Sequence, residues 1–325
     1  MTSHAPVPHR VATTLLTLVV PVALLVIATL VALSWSDQLP DPVAVHWGTD
    51  GADGFGSLAS AVLPTLITGT LVAVGAWALA FYAGHASSTR RIAAGSSIGM
   101  AVFLGVVMLG PLADQRGLDD ATQAPGIGTT LLVAILGGVV IGSLAAFLTP
   151  ADADRPAAAR IDPGAPRLPL TATERAVWRR SVFSRTTLVV GIAAVLVVLV
   201  LAVVTRMWAL SLLALLLAGL LLSTVAFDAT VDERGLVARG LLGWPTLRVP
   251  LDEVVAARAT TVRPLKDFGG WGYRVGRGGR TGIVLRSGEA LEVERSGDRV
   301  VVVTVDDAGT GAALLNTLAD RARAS

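Results

Sequence analysis

Six long apolar runs, none containing an Asp, Glu, Lys, Arg or His, constrain this chain more than any other feature: Val11–Trp35, Ala59–Tyr82, Ile92–Ala113, Ile127–Thr149, Thr187–Thr205 and Met207–Phe227. About 18 apolar residues suffice to cross the ~30 Å hydrocarbon core as a helix. In lipid the backbone must satisfy its own hydrogen bonds, which a helix does internally. The runs predict a polytopic α-helical membrane protein with six transmembrane helices. Composition agrees: 15% of residues are charged and mean hydropathy is +0.67, whereas globular chains average about 25% charged. Only Arg206 separates the fifth and sixth runs, so residues 187–227 are expected to form a tight helical hairpin.

Basic residues mark cytoplasmic loops. With the N-terminus inside, the inner segments hold Arg10, Arg90, Arg91, Arg155, Arg160, Arg167, Arg175, Arg179, Arg180 and Arg185, and the outer ones only Arg116 and Arg206. The outer loop at 36–58 carries Asp37, Asp41, Asp50 and Asp53 and no base. Both termini are therefore expected in the cytoplasm. Lys266 is the single lysine among 26 basic residues, which with the Ala, Val, Leu and Gly richness points to a GC-rich bacterial genome and hence to an inner membrane. The first apolar run is far longer than the 7–15 residues of a signal-peptide core, which argues against cleavage near Ala32-Leu33-Ser34.

Ionisable groups inside a membrane mark proton relays and ion pathways. Their absence from the six runs argues against charge transport. Without cysteine, disulfide scaffolds and thiolate chemistry are excluded. Gly95-Ser96-Ser97-Ile98-Gly99 matches the hydrolase pattern G-x-S-x-G, but that elbow needs a strained strand-to-helix turn. Here it sits in an apolar helix. The same stretch and Gly138-Val139-Val140-Ile141-Gly142 match the G-x-x-x-G spacing of close helix pairs, so the third and fourth segments are expected to pack. No catalytic, cofactor or metal residues are expected, and the protein is read as a non-enzyme.

The outer loop, from Leu39-Pro40-Asp41-Pro42 through His46-Trp47 and Asp50-Gly51 to Asp53-Gly54-Phe55-Gly56-Ser57, resembles domain of unknown function 1648 over about Val11 to Tyr82. Domains of that family often precede an SdpI-like module, so the resemblance implies, as an alternative function, immunity or small-molecule efflux. On the residues themselves, Asp50-Gly51 and Asp53-Gly54 read as turns and Trp47 and Phe55 as interfacial anchors. His46, Trp47, Asp50, Gly51, Asp53 and Gly54 are the candidate outer-loop motif, either a self-capping structure or a sensor.

Residues 150–186 read as a proline-rich cytoplasmic linker followed by a juxtamembrane helix. The capping box Thr171-Ala172-Thr173-Glu174 starts that helix, which runs through Arg179 and Arg180. From Asp228 short alternating runs predict strands at 229–239, 246–250, 254–262, 272–275, 282–286, 290–295 and 299–305, then an amphipathic helix at Thr310–Arg323. This order resembles a bacterial pleckstrin-homology-like domain, an all-β barrel with one capping helix, over 228–325. Its 14 basic and 13 acidic residues argue against nucleic-acid binding. Arg179, Arg180, Trp271, Tyr273, Arg274, Arg277 and Arg280 are the candidate contacts to lipid or to a protein partner. The leading function is envelope sensing or scaffolding by an integral component of the plasma membrane, in contact with the lipid bilayer.

Overall fold

The computed structural model describes residues 7–152, 156–157, 161–171, 174–276 and 280–324. It divides into two compact units: one holds Val7–Ala151 with Val195–Leu215, the other Asp152–Ala194 and the chain from Leu216 onward.

In the first unit four long helices form a bundle: α1 (Arg10–Ser34), α2 (Leu58–Ala83), α3 (Ser87–Asp114) and α4 (Gly128–Leu148). Helix α3 is central and packs against the other three. Its small residues explain why. A Cβ on Gly142 would lie 2.6 Å from the Gly95 carbonyl oxygen, and one on Gly99 would lie 2.7 Å from that of Gly138. The expected G-x-x-x-G pairing of the third and fourth segments is thus present as direct backbone contact. Ser97 is buried, and its hydroxyl donates to the Thr17 carbonyl at 2.8 Å. Thr17 lies in a π-helical turn of α1, Leu15–Val19, where a widened backbone leaves a carbonyl available. The G-x-S-x-G serine is therefore a packing residue.

Helix α3 starts earlier than its apolar run and takes in Arg90 and Arg91. The fully buried Arg90 guanidinium donates to the Gly84 carbonyl at 2.7 Å and to that of Pro150 at 3.2 Å. Arg91 reaches the Thr149 carbonyl at 3.4 Å. Cations set against the carbonyl end of α4 complement its dipole.

The last two apolar helices are α5 (Arg185–Val204) and α6 (Ala209–Thr224), joined by a turn in which Arg206 takes φ 54°. Among the described residues five helices are long and apolar enough to span a membrane, whereas α6 has 16 residues. The expected sixth span to Phe227 is shortened because Ala226 and Phe227 open a strand, with Phe227 in the sheet core.

Among its described residues the second unit holds two sheets. The four-stranded one runs β3 (Trp178–Phe183), β4 (Ala226–Asp232), β5 (Gly235–Gly240), β6 (Thr246–Val249), all antiparallel. The juxtamembrane helix expected over 171–180 is replaced by β3. Glu174 does accept the Thr171 amide at 3.2 Å, but Trp178 and Val182 bury against the sheet core, and the ladder to β4 takes the backbone bonds a helix would need. Ala172 and Thr173 of the expected capping box, and Arg155 and Arg160, lie outside the described residues.

The five-stranded sheet comprises β7 (Val254–Val262), β8 (Gly272–Val275), β9 (Thr281–Val284), β10 (Gly288–Arg295) and β11 (Arg299–Thr304), in the order β7-β10-β11-β9-β8. A short helix α7 (Pro264–Phe268) follows β7, and α8 (Ala308–Ala324) ends the chain. The strands expected from the alternation are there, but in two sheets: among the described residues no ladder joins β6 to β7 into one barrel. Pro250, which has no amide to donate, and a 3-10 turn at Leu251–Glu253 redirect the chain between them. Both sheets share one core with α8, including Phe227, Leu236, Leu291, Val303 and Leu315. Described residues of the proline-rich stretch lie against this core: Ile161 is buried in it, Ala157 donates to Asp252 at 2.7 Å, and Arg167 pairs with Asp320 at 2.7 Å.

Candidate functional site

At one end of the bundle, strands β1 (Val43–Gly48) and β2 (Gly51–Gly56) form an antiparallel hairpin between α1 and α2. The expected Asp50-Gly51 turn is there, with Gly51 at φ 123°, a value that favours glycine. Asp53-Gly54 is no turn but part of β2. Its carboxylate meets His46 Nδ1 at 2.5 Å across the hairpin, with the side chains 54% and 72% exposed. Gly54 is needed for that approach, since a Cβ there would lie 2.7 Å from the His46 Cβ.

A buried amide holds the hairpin to the bundle. Gln115, just past α3, accepts the Ala44 amide at 2.7 Å and donates to the Ala44 carbonyl at 3.2 Å and the Pro111 carbonyl at 3.0 Å. Its side chain thus imitates an adjoining strand. Arg116 donates to Gln38 Oε1 at 2.8 and 2.6 Å and lies 4.9 Å over the Trp35 ring. The Trp47 indole donates to the Pro125 carbonyl at 3.0 Å, and its ring packs with Ala44, Ala121 and Ala124. Phe55 is 39% exposed. Asp50 accepts from the neighbouring Thr49 hydroxyl, at 3.4 Å.

Beside this cap lies an open groove of about 500 Å³, lined by Trp47, Thr49, Ile127, Leu132, Arg206 and Trp208 among others. It combines two aromatic walls with one cation. Arg206 and Trp208 belong to the α5–α6 turn, so cap and turn face one space. Among the described residues no group of three or more His, Asp or Glu is arranged to hold a metal ion.

The second expected residue set is dispersed over the sheet unit. Arg179 pairs with Asp228 at 2.7 Å and Arg180 with Asp307 at 2.5 Å. The Ser181 hydroxyl, and then Arg179, hold the Asp228 carboxyl below the usual carboxylate range. Asp307 is lowered likewise, first by the Thr310 hydroxyl and then by Trp178 and Arg180. Arg280 pairs with Glu292 and lies 5.6 Å over Phe268, while Tyr273 packs on the core. Arg277 lies outside the described residues. Among the described members of the set, Trp271 and Arg274 come together at one surface, a groove of about 490 Å³ against the sheet-side ends of α5 and α6. Gln115, Arg206 and Trp208 were not singled out by sequence. A lone amide or arginine in a short loop carries no pattern, and the groove exists only once the cap and the helical turn are brought together.

The family profile described as a domain of unknown function, DUF1648, matches residues 23–69, from within α1 through the cap hairpin into α2. No curated protein and no solved structure matches the chain.

Proposed function

We propose that the chain is a non-enzymatic sensor or scaffold of the bacterial cell membrane, with the β1–β2 cap outside and the sheet unit in the cytoplasm. The basic-residue bias of the loops supports this orientation. The observation that carries the reading is the way α5 and α6 are rooted. Helix α5 leaves β3 through Ser184 and α6 enters β4 through Val225, and the Ser184 amide donates to the Val225 carbonyl at 2.9 Å. No linker intervenes. A change in the α5–α6 turn, which lines the cap groove, therefore reaches the β3–β4 ladder through two stiff helices. The mixed aromatic and cationic lining of the groove suits a peptide or an amphiphile with an anionic group. Strands followed by one C-terminal helix support reading the sheet unit as a pleckstrin-homology-like module that binds a protein partner.

The natural chain has no cysteine, so single-cysteine labelling in intact cells tests the orientation. A membrane-impermeant maleimide is expected to label Thr49→Cys in the cap turn and to spare Arg234→Cys in the β4–β5 turn until the cells are opened. Labelling of Arg234→Cys in intact cells would overturn the proposal.

A further inference from the structure

The edge of the four-stranded sheet from which α5 and α6 depart carries apolar side chains that the core does not use. The register puts Phe183 opposite Ala226 and Phe227 opposite Gly240, so the β5–β6 turn leaves the sheet at the same edge as the two helices. Leu241 confirms the proximity, since its amide donates to the Ala226 carbonyl at 3.2 Å. That turn reads Leu241-Leu242-Gly243-Trp244, and its three large side chains are 62%, 59% and 61% exposed. A β-turn between two polar-faced strands is normally polar. Leu265, in the wall of the groove that also holds Trp271 and Arg274, is 66% exposed. The opposite wall is the first half of α5 and the last two turns of α6, from Thr186 to Ala194 and from Leu217 to Thr224.

We infer that this edge is a lipid-contact surface, with Leu241, Leu242, Trp244 and Leu265 immersed at the headgroup and acyl boundary of the bilayer that α5 enters. Three arguments name lipid as the occupant. First, continuity: α5 is apolar from Leu188 onward and begins one residue after β3, so an edge that emits it directly has no length of chain with which to stand off from the bilayer. A helix rises about 1.5 Å per residue. Second, the chemistry is graded along the chain axis. The tip is leucine and tryptophan, and the next row of the sheet carries exposed Arg239 opposite Asp228, itself engaged by Ser181 and Arg179. Exposed Arg185, Lys266 and Arg274 lie at the same end. Tryptophan at the boundary with cations beside it is the composition of a membrane-water interface, and each cation near anionic lipid contributes about 1 kcal/mol. Third, the opposite end of the sheet lacks such side chains: the β4–β5 turn is Asp232-Glu233-Arg234-Gly235, closed by an Asp232–Arg234 pair at 2.7 Å. The inference does not depend on the sensing role.

Depth-dependent fluorescence quenching tests it. The full chain carrying one cysteine, at Leu242 or at Arg234, is labelled with a polarity-sensitive probe and reconstituted in vesicles of phosphatidylethanolamine and phosphatidylglycerol. Lipids bearing a shallow spin label are expected to quench the Leu242→Cys probe several-fold more than the Arg234→Cys probe, and aqueous iodide to show the reverse order. Equal quenching of both probes by iodide would overturn the inference. So would a Leu242→Cys probe shielded from iodide and from spin-labelled lipid alike, because protein would then cover the tip. Both substituted positions are exposed, and retention of the native thermal transition by each labelled protein verifies the fold.

Discussion

The two sets of apolar helices are held by opposite means. In the bundle, α3 has 44% of its most apolar window buried, while α5 has 6%. Bundle helices meet through glycine backbones and are joined by buried polar bonds from Ser97, Arg90 and Gln115. Van der Waals contact and interhelical hydrogen bonds are what drive helix association where the solvent is itself apolar. The α5–α6 hairpin has little of either. Its helices touch where a Cβ on Gly191 would strike the Leu221 side chain, and its firm attachment is the β3–β4 ladder at its root.

The largest expected effect comes from breaking the close packing of the bundle. Gly142→Val puts a branched side chain against the Gly95 carbonyl and the Gly99 backbone. Overpacking costs about 1–3 kcal/mol, and backbone atoms cannot yield as a side-chain end does. Thermal unfolding of the purified protein in detergent should show the lower transition. An equal loss from Gly137→Val, whose nearest neighbour is the Val102 side chain at 3.5 Å, would mean that the Gly142 contact is not special.

A smaller effect is expected at the root of the hairpin. Asp228 on β4 binds Ser181 and Arg179 on β3, and its folded-state pKa is depressed. A depressed carboxyl contributes stability that is complete above its unfolded pKa of about 3.9 and is lost as pH falls through the folded value. Acidification below about pH 4 should therefore loosen the β3–β4 ladder. Asp228→Asn should remove part of that pH dependence, read from amide exchange or from the thermal midpoint across pH. An identical acid profile in the variant would assign the effect to other carboxylates.

Much of this difference was legible in the sequence. The G-x-x-x-G pairs, the apolar runs, the strand alternation after Asp228 and the C-terminal helix were all carried by local periodicity. What failed depended on partners far along the chain. Thr171-Ala172-Thr173-Glu174 reads as a helix start, yet Arg179 and Arg180 sit in a strand because β4, some fifty residues on, offers a ladder and a core face to Trp178. Phe227 looked like the end of a membrane run and is a sheet residue for the same reason. In the cap, His46 and Asp53 were singled out, and they do meet, but Gln115 and Trp208 come from other loops and had no pattern to announce them. Leu241-Leu242-Gly243-Trp244 did have one, an apolar turn where a polar one is the norm.

Amide hydrogen exchange on Gly191→Leu tests most directly whether the hairpin and the sheet move as one. The new side chain drives α5 from α6 at Leu221, within the helices and outside both strands, which end at Phe183 and begin at Ala226. Exchange in β3 and β4 is predicted to rise several-fold while β10 and β11 of the other sheet and α3 of the bundle stay at the native level. Unchanged exchange in β3 and β4, with α5 and α6 themselves perturbed, would contradict the account.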